Sequence, residues 1–168
     1  MKETWLGVNL PHEAVARTNR LTGWAVIEDA AVISIERGCF AVDLTGLKSI
    51  DPPALPGQDV RGRDEGVAVM LHYDKHPIAR LRLGKATVVT SAVTVRSLQI
   101  PIQGDLEIAG VVKPVVFDTR LQLQGDAVSI AGQTTITRDQ FQIEFPSANL
   151  PVEVDEQITI EFSVVVRR

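Results

Sequence analysis

One cysteine, three histidines and a single tyrosine are all that this chain of 168 residues holds of those types, and each scarcity closes off a class of function. Cys39 has no partner for an intrachain disulfide, and no set of cysteines and histidines has the spacing of a metal site. In its context, GCFAVDL, the thiol reads as a small buried hydrophobe. Positive charge is sparse as well. Seventeen Lys and Arg against 21 Asp and Glu give a net charge of -4, and nowhere do more than two basic residues adjoin, so there is no electrostatic footprint for nucleic acid. No apolar run is long enough to cross a bilayer. The opening MKETWLGVNLPHE lacks the continuous apolar stretch of a secretory signal. As it stands the chain reads as soluble and cytoplasmic; a periplasmic or secreted protein whose N-terminal segment had been removed would read the same way.

Catalytic patterns are missing too. Neither GxGxxG nor GxxxxGK[ST] occurs. His72 and His76 are four positions apart, a spacing that would put them on one helix face, but Pro77 follows at once and no carboxylate stands where HExxH needs it. Ser34, Ser91, Ser97, Ser129 and Ser163 lie in strand-like contexts with no elbow sequence around them. Asp64 and Glu65 read as ordinary exposed charges rather than an acid/base couple. The expectation is a protein with no catalytic residue, no metal and no cofactor.

Alternation is what the chain does have. In IPIQGDLEIAGVVKPVVFDT, residues 100–119, Leu98, Ile100, Ile102, Leu106 and Ile108 fall on one side and Gln99, Gln103, Asp105 and Glu107 on the other. After a break, Val115, Phe117, Leu121 and Leu123 alternate with Val116, Asp118, Arg120 and Gln122. This is the code of a two-strand hairpin with one buried side. Similar signals predict strands over 22–28, 31–45 (joined by a Glu28-Asp29 turn), 78–83, 86–95, 127–137 and 140–145. In the closing EQITIEFSVVVRR, Ile158, Ile160, Phe162, Val164 and Val166 share a face. The three prolines of SIDPPALPGQD forbid a central strand there. One or two helical turns are expected in RGRDEGVAVMLHYDKHP, with Asp64 and Glu65 near their start. With 45% apolar residues the chain supports one domain, 1–168, of all-β class. About eight antiparallel strands and a short helical insertion point to a barrel, because closure removes sheet edges.

Trp24, Phe40, Phe117, Phe141 and Phe162 alternate into inward faces. Two readings stay open for them: plain barrel core, or the lining of a tunnel. Arg61, Arg63, Arg80 and Arg82 read as solvated face residues or as a rim for an anionic headgroup.

Several stretches, in order, carry a resemblance. GDLEIAGVVKPVVF at 104–117, RGRDE at 61–65 followed by LHYDKHPIARL at 71–81, TTITRDQFQI at 134–143, TGWAVIED at 22–29 and FAVDLTGLKS at 40–49 are similar to successive segments of the YceI-like family of lipocalin-like barrels. The resemblance covers about 15–168. It implies an extended antiparallel barrel whose elongated apolar tunnel holds a polyisoprenoid tail, with quinone-like or other amphiphilic lipids as cargo, in proteins often periplasmic or secreted. On that reading a long-chain isoprenoid or similar lipid lies along Trp24, Phe40, Ile100, Ile102, Leu106, Ile108, Phe117, Phe141, Phe162 and Val164, with its polar end near Arg63, Arg80 or His72. A barrel filled by its own side chains, serving structure or protein interaction, is the competing reading. An enzyme acting on an isoprenoid in the same slot is a third.

The chain departs from the family pattern in places. Gly66 stands where many members have His, His76 where Tyr is common, and Gln142 where Gly is frequent. The usual opening strand, Tyr-x-x-Asp followed by Ser-x-Val-x-Phe-x-Val, is not evident, which predicts a barrel lacking its first strand. The strands on either side would then have open edges. A second copy of the chain or residues 3–10 would cover them, giving a homodimer or a partly open barrel.

Overall fold

The computed structural model describes residues 2–5, 8–29, 33–51, 60–84, 86–88, 97–124, 127–144 and 152–167. They form thirteen strands, one α-helix and two 3-10 turns: β1 (Lys2–Trp5), β2 (Val8–Glu13), β3 (Ala16–Arg17), β4 (Leu21–Asp29), β5 (Ile33–Asp43), a 3-10 turn at Leu44–Gly46, β6 (Lys48–Ser49), α1 (Val60–Met70), β7 (Ile78–Leu83), β8 (Ala86–Val88), β9 (Ser97–Ile108), β10 (Val111–Gln124), β11 (Ala127–Thr137), a 3-10 turn at Asp139–Phe141, β12 (Val152–Val154) and β13 (Gln157–Arg167). Seven strands make a curled antiparallel sheet in the order β13-β11-β10-β9-β7-β5-β4, and β8 continues the line of β7 along β5. This is a half-barrel, the open form of the expected fold. Within residues 3–10, foreseen as a cover for its edges, the described strands go elsewhere: β1 pairs with β2 and β12 in a sheet of its own. The strand signals at 89–95 lie outside the described residues.

The hairpin of β9 and β10 is the spine. Ile108 pairs with Val111, and the register runs unbroken to Ser97 opposite Gln122. The turn between them is only Ala109-Gly110, both left-handed, with φ of 51° and 79°, the two-residue form that matches strand twist. Lys113 and Pro114 therefore lie inside β10. Pro114 is tolerated because β11 joins β10 only from Asp118 onward, so one side of this stretch is an edge and its missing N–H breaks no ladder there.

Curvature comes from glycine on the concave face. Gly23, Gly38, Gly104 and Gly132 share that face with Leu21, Phe40, Ile102 and Ile130, and a Cβ at any of them would meet a neighbour at 3.0 Å or less. Two packed clusters fill the ends of the trough. Leu44, Met70, Ala79, Leu106, Ile108, Ile136, Phe141 and Ile143 form one, beneath the helix end and the second 3-10 turn. Ile35, Ile102, Leu121, Val128 and Ile130 form the other.

Three local expectations are corrected. Glu28 and Asp29 continue β4, pairing with Ser34 and Ile33, instead of turning. The helix runs eleven residues, because tertiary contacts outweigh the helix-weakening Gly66 and valines. Of the strand expected over 140–145, the described residues 140–144 form none: Thr137 and Gln140 cap each other, with Thr137 N–H donating to Gln140 Oε1 at 3.1 Å and Gln140 N–H to Thr137 Oγ1 at 3.3 Å, the reciprocal pattern of a T-x-x-Q box. Gln142 then turns left-handed at φ 53°, and Phe141 is driven into the core with no exposed surface.

Candidate functional site

Between the two clusters lies a slot walled by every strand of the half-barrel. Leu21 comes from β4, Phe40 and Val42 from β5, Ala79, Arg80, Leu81 and Leu83 from β7, Ile102 and Leu106 from β9, Phe117 from β10, Ile130 from β11, and Ile160, Phe162 and Val164 from β13. Its free volume is about 80 Å³, on a measure in which one water takes about 10–15 Å³. The surface is apolar throughout, so nothing in it would hold water by hydrogen bonds. The side chains leave room for part of a hydrocarbon chain and supply no polar competitor.

Two aromatic rings shape the walls. Phe117 and Phe162 meet edge to face, centroids 5.3 Å apart at 73°, although β11 separates their strands. They reach each other because Gly132 on β11, paired with Thr119 and Phe162, has no side chain: a Cβ there would stand 2.8 Å from the Phe162 ring. Thr119 is a buried polar residue on this face, 4% exposed. Its Oγ1 donates to the Ile100 carbonyl at 2.5 Å, which removes the cost of an unpaired hydroxyl.

Six of the residues expected from sequence, Phe40, Ile102, Leu106, Phe117, Phe162 and Val164, line the slot. Ile108 and Phe141 are packed in one end cluster and Ile100 against the other. Trp24 is 52% exposed, and its inward reading is corrected: it alternates with Leu21, and pairing with Cys39 sets it on the outer face. Leu21, Val42, Ala79, Leu81, Leu83, Ile130 and Ile160 were not foreseen as lining. The parity of Phe40 and Phe162 along β5 and β13 points to Val42 and Ile160. No local signal distinguishes the others from core.

Of the polar residues expected at the mouth, the two arginines are engaged elsewhere. Arg80 contributes to the wall, but its side chain alternates outward from Ala79 and Leu81. Its guanidinium stands 3.7 Å from Glu107, which also lies 3.7 Å from Arg82. Arg63 forms a buried ion pair with Asp51, their side chains 10% and 8% exposed, and also donates to the Asp51 carbonyl at 3.0 Å. Asp51 in turn accepts from the Val15 N–H at 2.9 Å, so this pair ties the helix to the start of the chain rather than facing a ligand. His72 ends the helix in a left-handed turn, φ 51°, its carbonyl accepting from the N–H of His76 at 2.7 Å. Ring contact places His76 over Gly110. Among the described residues no three His, Cys, Asp or Glu gather as a metal site.

Titration is shifted only away from the slot. Burial pushes the Asp64 carboxyl up, but hydrogen bonds from Ser49 and Lys48 outweigh it and hold the group below the usual value of 3.8. Hydrogen bonds from Thr45 and Arg20 likewise hold Asp43 down. Burial raises the Tyr73 phenol, helped by the charge of Asp64.

Comparison with known proteins agrees with this geometry. The family profile described as "YceI-like domain" matches residues 4–166. No curated protein matches the sequence. Among solved structures, the Campylobacter jejuni YceI protein is similar at a TM-score of 0.64 and 15% identity, over 98% of this chain and 93% of that one. Burkholderia cenocepacia BcnA is similar at 0.63 and 13%, over 98% and 94%. A polyisoprenoid binding domain from Saccharophagus degradans, implicated in plant cell wall breakdown, is similar at 0.56 and 11%, over 92% and 99%. At such identities the structures share the fold.

Proposed function

The chain belongs to the YceI-like domain family, and from that premise we propose that it binds and carries an apolar amphiphile, a polyisoprenoid or isoprenoid quinone, with part of the tail in the slot. The observation that carries the reading is the slot itself: all seven strands of the sheet contribute to one unfilled, wholly apolar space. Each buried methylene contributes about 0.8 kcal/mol, so one five-carbon isoprene unit gains roughly 4 kcal/mol before ordering costs. No polar contact is needed for that. The description of the Saccharophagus domain as polyisoprenoid binding supports the choice of cargo. Binding rather than catalysis fits a site whose wall carries no acid, base or nucleophile among the described side chains.

Organic extraction of protein purified under non-denaturing conditions, followed by mass spectrometry, tests this. A co-purifying lipid, or uptake of added isoprenoids, is expected. Repeated absence of both would favour the second reading, a structural or protein-interaction barrel. The tight clusters on either side of so small a space speak for that one.

The half-barrel ends at β4 and β13, which have no further partner among the described residues. β13 is eleven residues long with no Pro, Gly or Lys, its only charges being Glu161 and Arg167, so much of the edge is open to pairing. A homodimer joined along such an edge is part of the proposal, and sedimentation as a clean monomer at high concentration would remove it.

A further inference from the structure

Gly132 has neighbours of a kind that the other concave-face glycines lack. A Cβ on Gly23, Gly38 or Gly104 would run into backbone: Cys39 O at 2.7 Å, Trp24 O at 3.0 Å and Arg82 O at 2.6 Å. Those positions are needed for strands to approach. At Gly132 the three nearest atoms are all side-chain atoms, Thr119 Cγ2 at 2.7 Å and Phe162 Cε1 and Cζ at 2.8 and 2.9 Å. Nor does the backbone there need glycine, since Gly110 alone among the described glycines is left-handed. What matters at 132 is the missing side chain.

Of the two residues that would have to yield, one cannot. Thr119 is buried and clamped by its hydrogen bond to the Ile100 carbonyl, and it stands on a strand paired on both sides. Phe162 offers the far end of a ring on the edge strand β13. The sheet lies behind that ring and the slot in front of it. A methyl group at 132 therefore lifts the ring off the sheet and into the free space, since close-packed interiors do not absorb such an overlap elsewhere.

Resting on the carrier reading above, we propose that Gly132 is the residue that keeps the slot open: by letting Phe162 lie flat across β11, it determines whether an apolar chain can enter.

The test is farnesol uptake by the full chain, measured by native mass spectrometry, for wild type, Gly132→Ala, Phe162→Leu and the double variant. G132A should reduce uptake by about tenfold while keeping the wild-type circular dichroism spectrum. F162L serves as the reference for the double variant, which should take up as much as F162L alone, because the smaller side chain leaves nothing to be lifted. G132A that folds and binds like wild type would overturn the inference while leaving the carrier reading intact, as would a double variant that takes up clearly less than F162L alone. If G132A does not fold, the double variant decides, by its uptake against that of F162L. Failure of wild type to take up farnesol or to yield lipid on extraction would overturn the carrier reading, and this inference with it.

Discussion

Arg63 and Asp51 carry the clearest energetic consequence of any single pair. Both are nearly excluded from solvent, and removal of one partner leaves the other charge buried without compensation. Arg63→Ala should lower unfolding free energy by about 3 kcal/mol in urea denaturation; a loss well under 1 kcal/mol would mean that water reaches Asp51. Tyr73 is the opposite case. Its hydroxyl is buried with no hydrogen-bond partner among the described residues, so the ring contributes packing while the oxygen costs desolvation. Tyr73→Phe should be neutral or stabilising by about 1 kcal/mol in the same assay, whereas clear destabilisation would reveal a partner for the hydroxyl. Neither role was legible in the sequence. RGRDE reads as a solvated, charged stretch until the fold brings residue 51 against it, and a lone tyrosine beside an aspartate has no signature of burial.

At the scale of elements, the β9–β10 turn contains a correctable mismatch. Ala109 occupies a left-handed conformation that costs an L-residue about 1–2 kcal/mol, and two-residue hairpins of this form favour Asn-Gly. Ala109→Asn should raise stability by about 1 kcal/mol by thermal or denaturant melting, offset in part by lost packing against the core. Gly110→Ala should do the reverse, because the new Cβ would stand 2.6 Å from the His76 ring. Strand existence was readable here, since alternation over 98–108 and 115–123 records which side is buried. The T-x-x-Q box at 137–140 was present in the sequence and masked by the apolar residues after it.

Across the molecule, the described groups held away from their ordinary values act at the two ends of the pH range. Asp43 and Asp64 are held below 3.8 in the folded chain, so their contribution is present above that value and is lost as pH falls through the folded values. The Tyr73 phenol is raised above 10.0; the unfolded chain ionises first, and stability declines as pH rises past 10.0. Unfolding free energy should be level between roughly pH 5 and 9 and fall on both sides. Asp64→Asn should flatten the acid limb and Tyr73→Phe the alkaline one. A midpoint that moves steadily through the neutral range would assign the linkage to other groups.

The order of apolar and polar residues along the chain was enough to determine an all-β protein with a curled sheet, because a period of two permits only one face to be buried and glycines on that face permit it to bend. Phe40, Phe117 and Phe162 could be assigned to that face for the same reason. Whether the face encloses a free space, and which residues bound it, was decided only by tertiary structure. Phe141 and Phe162 have the same local pattern, yet one plugs an end and the other borders the slot. The difference lies in what stands across from each: a turn and the helix end for Phe141, a glycine on the neighbouring strand for Phe162. Packing is a relation between residues far apart in sequence, and alternation within one strand carries no record of it.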